Sequence, residues 1–169
     1  MVTIALRAAR QAGEMIVKAA DNLDSVQVSE KSKNDFVTEI DKRSEEMIID
    51  TISKAYPDHH FLSEESGFRG SDSSDVQWII DPLDGTTNFV HGIPYVSVSI
   101  ACIINGKLEH AVVVEPFSHD EFTASRGSGT RLNGRRIRVS GKTEKEGALY
   151  ATGIPFNDPS FKNMSEYLN

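Results

Sequence analysis

Asn105-Gly106 stands between two apolar stretches, YVSVSIACII and LEHAVVVE. Asn and Gly tolerate the positive φ angles of a two-residue β-turn at little cost, so the dipeptide fixes a tight antiparallel hairpin. Both flanks are rich in β-branched residues and long enough for a full strand. A chain built around such a hairpin must make an antiparallel sheet and cover at least one of its apolar faces. The segments VQWIID, DEFTAS and RIRVS also read as strands, and Asn133-Gly134 marks a second tight turn.

The cover comes from helices ahead of the sheet. Ile4, Ala5, Ala8, Ala9, Ala12, Met15, Ile16, Ala19 and Ala20 recur at helical spacing, which predicts an amphipathic helix over residues 2–20. A second helix starts near Thr38, lines one face with Ile40, Ser44, Met47, Ile48, Ile52 and Ala55, and stops before Pro57. SVQVSEK between them reads as a short strand. HHFLSEES is a short apolar stretch that runs into two glutamates, and residues 66–75 form a mobile glycine- and serine-rich loop. ALYATGIPF reads as a further strand and NDPSFKNMSEYLN as the start of a helix. The expected class is α+β, an antiparallel sheet covered by helices. A length of 169 residues suffices for one domain with a real core, or one domain and part of another.

A net charge of −7 argues against general affinity for a nucleic-acid backbone. An acidic chain that binds a phosphate ester needs a local cation or local backbone donors. Cys102 is the single cysteine, so no internal disulfide or thiolate cluster forms, and its apolar setting reads as a buried thiol. The N-terminus has no continuous apolar region, and no run approaches the roughly 20 apolar residues of a membrane helix. These features read as a cytoplasmic protein with no membrane partner. The histidines at 59, 60, 91, 110 and 119 are scattered and read as structural or surface groups.

Chemistry concentrates in WIIDPLDGTTNF, where an apolar run delivers Asp81 and Asp84 with Pro82 between them. Clustered carboxylates repel one another and resist desolvation unless a cation joins them. Mg²⁺ suits carboxylate and carbonyl oxygens, and the fixed turn allows both aspartates and the Leu83 carbonyl to converge. The plainer reading has Asp81 and Asp84 capping a turn and a helix. Taken alone, Glu64 and Glu65 read as a solvated pair in a loop, and Thr38 with Asp41 as a capping box. The following GTTN resembles a helix start, whose free N–H groups can seat an anion, and Gly85 lets the anion approach the backbone.

WIIDPLDGTTNF closely resembles the signature of the inositol monophosphatase family, metal-dependent and usually lithium-sensitive phosphatases. NDFVTEID, HHFLSEES and ATGIPF fall around it in order, so the resemblance runs through essentially all 169 residues. It is strongest to the family's bacterial inositol-1-monophosphatases. It implies a layered α-β-α-β-α sandwich of the sugar and inositol phosphatase type, here mainly the N-terminal helices and antiparallel sheet. Residues 1–145 would form an α+β metal-binding domain and 146–169 the start of a second, truncated α/β domain.

By this resemblance Glu64 is a ligand of the first and third Mg²⁺ ions, with a catalytic role. Asp81 bridges two ions, the Leu83 carbonyl binds the first, and Asp84 binds the second beside the substrate hydroxyls. Gly85 and Thr86 form the backbone seat for phosphate, with Thr87 in the same shell. Thr86 and Asp41 orient and help to deprotonate the attacking water, and Lys31 resembles a lysine near a third metal. The implied reaction is direct attack of water on the phosphorus of a small phosphate ester, without a phosphoenzyme.

The resemblance also implies a homodimer and, for some bacterial members, association with transcription machinery. The family's later W-D-x-A-A-G motif, whose aspartate completes the second metal site, has no match here. The chain therefore resembles the N-terminal portion of such a protein, expected to bind Mg²⁺ weakly and to turn over little alone. Related phosphatases of this fold act on fructose 1,6-bisphosphate or 3′-phosphoadenosine 5′-phosphate, but GTTNF resembles the inositol branch more.

Overall fold

The Asn105-Gly106 loop closes the expected hairpin. Both residues hold positive φ, 50° and 73°, and strands β6 (Ser97–Ile104) and β7 (Lys107–Glu115) pair antiparallel from Val98↔Val114 to Ile104↔Lys107. This computed structural model describes residues 1–32, 35–70 and 74–150. Its other strands are β1 (Val28–Ser32), β2 (Asp35–Thr38), β3 (His60–Ser63), β4 (Gly67–Arg69), β5 (Val76–Asp84), β8 (Asp120–Ser125), β9 (Gly129–Leu132) and β10 (Arg135–Arg136). The helices are α1 (Val2–Ala20), α2 (Glu39–Ala55) and the short α3 (Thr86–Val90). Eight strands form one sheet in the order β10-β9-β8-β7-β6-β5-β3-β4, while β1 and β2 pair separately.

Alternation along the central strands decides which face is covered. Trp78 and Ile80 of β5, Val98, Ile100 and Cys102 of β6, and Val112 and Val114 of β7 are buried on one face. They meet Ala5, Ala8, Ala9, Ala12 and Ile16 of α1 and Ile48 and Ile52 of α2 in one core. Alanines at i, i+3, i+4 and i+7 give α1 a flat face that can lie close to the sheet. On the opposite face Leu62 and Ile79 are paired neighbours and remain exposed. Burial pushes the Cys102 thiol up to about 11, as befits an inert core group.

Several sequence expectations need correction. The sheet is mixed, because β3 runs parallel to β5. Part of the expected loop 66–75 is strand β4, antiparallel to β3, and β2 was not foreseen. RIRVS keeps only Arg136 in a strand, and Val139 is 94% exposed. At the sheet edge no strand among the described residues lies beside it, so alternation alone does not make it pair. ALYATGIPF begins as non-strand backbone at residues 148–150. Its remainder and the expected terminal helix lie outside the described residues, as does the Lys31 side chain.

Trp78 is fully buried, and its indole N–H donates to His59 Nδ1 at 3.0 Å. Tyr56 stacks on the His59 ring at 4.8 Å. Nδ1 must stay unprotonated to accept, and burial lowers the His59 pKa below its ordinary 6.5. The unfolded chain therefore binds the proton first as pH falls below that value, and stability falls with it. In urea unfolding followed by Trp78 fluorescence, the wild-type midpoint is expected to fall relative to that of His59→Gln between pH 7 and pH 5. A midpoint difference that stays constant over this range would remove His59 as a pH-dependent contributor.

Candidate active site

The parallel pairing of β3 with β5 explains why two acidic segments meet. Parallel strands bring their C-terminal ends to the same edge of a sheet. Register Ser63↔Ile80 places Glu64, the residue after β3, beside Asp81 on β5, and Glu64 N–H donates to the Ile80 carbonyl at 3.2 Å. Asp84 does not lie in a turn after the strand. The β5–β6 ladder continues to Asp84↔Ser97 with an irregularity between Asp81 and Asp84. Pro82 cannot donate to a ladder, and a bulge is where a strand accommodates it. Leu83 N–H donates back to Asp81 Oδ1 at 3.2 Å, which fixes the kink.

Asp41 arrives from the other layer. Thr38 caps α2 and forms a capping box with Asp41. Asp41 Oδ2 accepts the Thr38 N–H at 2.8 Å and the Thr38 hydroxyl at 2.6 Å. Its second oxygen, Oδ1, accepts the Thr86 hydroxyl at 2.8 Å. The capping reading and the site reading thus use the two oxygens of one carboxylate, which is 2% exposed. Thr86 Oγ1 also lies 3.0 Å from the Leu83 carbonyl. Its single hydrogen is committed to these two acceptors, which leaves its oxygen lone pairs available to accept.

Phe36, Glu64, Asp81, Leu83, Asp84, Gly85, Thr86 and Thr87 line one cleft of about 190 Å³. All the expected site residues therefore come together except Asp41, which stands behind Thr86. The Asp81 carboxyl is pushed up to about 7, first by burial and then by the charges of Glu64 and Asp84, with a hydrogen bond to Glu64 adding to the rise. The Leu83 N–H opposes this only in part. As the side chains stand, no three His, Cys, Asp or Glu among the described residues are arranged to hold a metal ion. The expected convergence is thus incomplete. The fit to Mg²⁺ is one of donor chemistry: hard oxygens and crowded like charges around a half-buried carboxyl.

Gly85 has φ 94°, a left-handed value. A Cβ at this position would lie 3.0 Å from the Tyr95 carbonyl oxygen. Gly85→Ala is expected to cost about 1–3 kcal/mol in chemical denaturation through backbone strain, and a neutral result would remove the conformational requirement. The helix that follows runs only from Thr86 to Val90, so its dipole adds little.

Two residues of the site's support were missed as such. Ser44 donates to the Pro82 carbonyl at 2.8 Å, and buried Glu45 accepts the Glu65 N–H at 2.9 Å. Polar residues on the inward stripe of α2 were the available signal. A larger groove of about 370 Å³ lies between α1 and β7–β8, lined by Val17, Val114 and Pro116 among others. Within it Arg10 Nη2 donates to Glu121 at 2.6 Å and holds that carboxyl below its usual range. It lacks the crowded carboxylates and the oriented hydroxyl of the smaller cleft.

The model of the inositol monophosphatase family matches residues 1–166. The chain belongs to this family. Among its relatives, Nus factor SuhB of Pseudomonas aeruginosa is 54% identical over all of this chain and 63% of its own length. Nus factor SuhB of Escherichia coli K12 is 48% identical over all of this chain and 62% of its own. The chain thus spans under two thirds of the length of these curated relatives. The crystal structure of the extragenic suppressor protein suhB from Bartonella henselae superposes with TM-score 0.81 at 42% identity, covering 83% of this chain and 54% of that one. An inositol monophosphatase from Thermotoga maritima gives TM-score 0.73 at 40% identity, covering 80% and 52%. This inositol monophosphatase family member is of the SuhB type, and its α+β fold is the fold of those neighbours.

Proposed function

We propose that the chain carries the catalytic centre of a Mg²⁺-dependent phosphatase. It would hydrolyse inositol 1-phosphate, and related polyol or sugar phosphates, to the free alcohol and phosphate. The observation that carries this reading is the Thr86 hydroxyl, bound to buried Asp41 and opening on a cleft of crowded carboxylates. Glu64, Asp81, Asp84 and the Leu83 carbonyl would hold the metal. Mg²⁺ supplies Lewis acidity, neutralising charge on the phosphoryl oxygens and the leaving alkoxide.

The remaining work belongs to the chain. Thr86 Oγ1 accepts a hydrogen bond from a water aimed at the phosphorus and, as it takes that water's proton, passes its own hydrogen to Asp41 Oδ1. Thr38 holds the other Asp41 oxygen, so that carboxylate cannot turn away. Backbone N–H groups at Gly85, Thr86 and Thr87 seat the phosphate, and exposed Asp84 faces the alcohol hydroxyls.

The test is phosphate release from inositol 1-phosphate by the longest gene product that carries this sequence. Release is expected to require Mg²⁺, to be inhibited by Li⁺, and to be slight for residues 1–169 alone. No release at any Mg²⁺ concentration from inositol 1-phosphate, fructose 1,6-bisphosphate or 3′-phosphoadenosine 5′-phosphate contradicts the proposal.

The relatives named Nus factor support a second reading, a binding role at the transcription machinery. Affinity capture with transcription elongation factors tests it, and recovery of none of them counts against it. A homodimer and a cytoplasmic location belong to the same proposal. No helix among the described residues is long and apolar enough to cross a membrane.

A further inference from the structure

Three buried polar side chains of α2 point at the acidic cleft in succession. Asp41 holds Thr86, Ser44 holds the Pro82 carbonyl, and Glu45 holds the Glu65 N–H. Positions 41, 44 and 45 share one helix face, which continues as buried Ile48 and Ile52. The inward stripe is therefore apolar in the second half of the helix and polar in the first. Burying a carboxylate is costly unless hydrogen bonds compensate, and Glu45 is 2% exposed. An apolar residue would continue the stripe without that cost, so the carboxylate calls for a role in what it touches.

What it touches is the turn that carries Glu64. We propose that Glu45 is a positioning residue for the acidic centre: it locks the Glu64–Glu65 turn from the helix side and so sets where the Glu64 carboxylate meets a divalent cation. The inference rests on the metal-dependent reading above. Two successive amides of the turn are pinned, Glu64 N–H on the Ile80 carbonyl at 3.2 Å and Glu65 N–H on Glu45 Oε2 at 2.9 Å. With both held, the backbone of Glu64 has little freedom, and its Cα–Cβ bond keeps one direction relative to Asp81. Releasing the second amide frees that direction without touching any proposed ligand. Supporting hydrogen bonds of this kind typically set metal affinity or activity by about 10- to 100-fold.

The test uses Glu45→Gln, which keeps an acceptor but loses the charge, and Glu45→Leu, which loses both. Glu46→Gln is the control, the same chemistry one residue along on the exposed side of the helix. Mg²⁺ affinity is measured by calorimetry on the longest gene product carrying this sequence, and exchange of the Glu65 amide by NMR. Glu45→Gln is expected to weaken Mg²⁺ binding about 10-fold and Glu45→Leu nearer 100-fold. The Glu65 amide should exchange faster in Glu45→Leu, turnover in Glu45→Gln should recover at saturating Mg²⁺, and Glu46→Gln should change nothing. If Glu45→Leu does not fold, Glu45→Gln decides. Wild-type Mg²⁺ affinity in a folded Glu45→Gln, with or without lost stability, overturns the proposal and leaves the phosphatase reading intact. Wild-type protein that binds no Mg²⁺ overturns both.

Discussion

Replacing Asp81 with asparagine is expected to stabilise the metal-free protein at pH 8 while removing its Mg²⁺ binding. The folded chain holds the Asp81 proton up to about pH 7, whereas the free side chain releases it near 3.8. Between those values the folded state binds more protons than the unfolded one, so the group's contribution to stability falls as pH rises. By pH 8 the carboxylate is ionised beside Glu64 and Asp84, and the fold bears the repulsion. Three pH units set an upper bound of about 4 kcal/mol. The group is only half-buried, so solvent screening reduces the expected gain to about 1–2 kcal/mol.

Asparagine keeps an oxygen for the Leu83 N–H, places an amide donor toward Glu64 and carries no charge. Its stabilising effect should fade near pH 5, where the native carboxyl already holds its proton. Thermal melts in chelator at pH 8 and pH 5, beside calorimetric Mg²⁺ titration, read both effects. An Asp81→Asn protein that is less stable at pH 8, or that binds Mg²⁺ like the wild type, contradicts the account. In the longest gene product the same substitution, or Glu64→Gln, is expected to abolish phosphate release.

Asp41→Asn should do the opposite: it should spare Mg²⁺ binding and remove turnover. Asp41 now accepts from Thr38 on one oxygen and from Thr86 on the other. Asparagine has one oxygen and one NH₂ group. If the oxygen stays with the Thr38 donors, the amide nitrogen faces Thr86 Oγ1 and must donate to it. The Thr86 hydrogen then turns to the Leu83 carbonyl, one of the two Oγ1 lone pairs is taken by the amide, and no carboxylate remains to receive the Thr86 proton. Loss of one general base typically costs about 10²- to 10⁴-fold in rate. Steady-state kinetics should place the loss in kcat, with the Mg²⁺ dependence unmoved. A fall in Mg²⁺ affinity with kcat retained would assign Asp41 to the metal instead.

Local features were legible in the sequence, and long-range ones were not. The capping box of Thr38 and Asp41 could be read because both partners lie three residues apart. The Asn105-Gly106 hairpin could be read because two φ angles settle it. The pairing that joins Glu64 to Asp81 could not. β3 has four residues, and its parallel partner begins 13 residues after it ends, a separation at which no turn chemistry fixes register. Reading residues 66–75 as loop hid β4, which holds the far side of β3. At Pro82–Leu83 the sequence shows only a proline, which reads as a turn, because strand continuation to Asp84 depends on the β6 ladder. Ser44 and Glu45 sat in plain view on a helix face, but a polar residue there acquires meaning only when the segment opposite is known.

The most direct test of the central claim is an anomalous difference map from crystals grown in Mn²⁺, a spectroscopically visible substitute for Mg²⁺. A peak among Glu64, Asp81 and the Leu83 carbonyl, with both carboxylates turned onto it, is the expected result. Carboxylates left apart with no peak between them, in crystals saturated with Mn²⁺, would show that the cleft is not built for a metal.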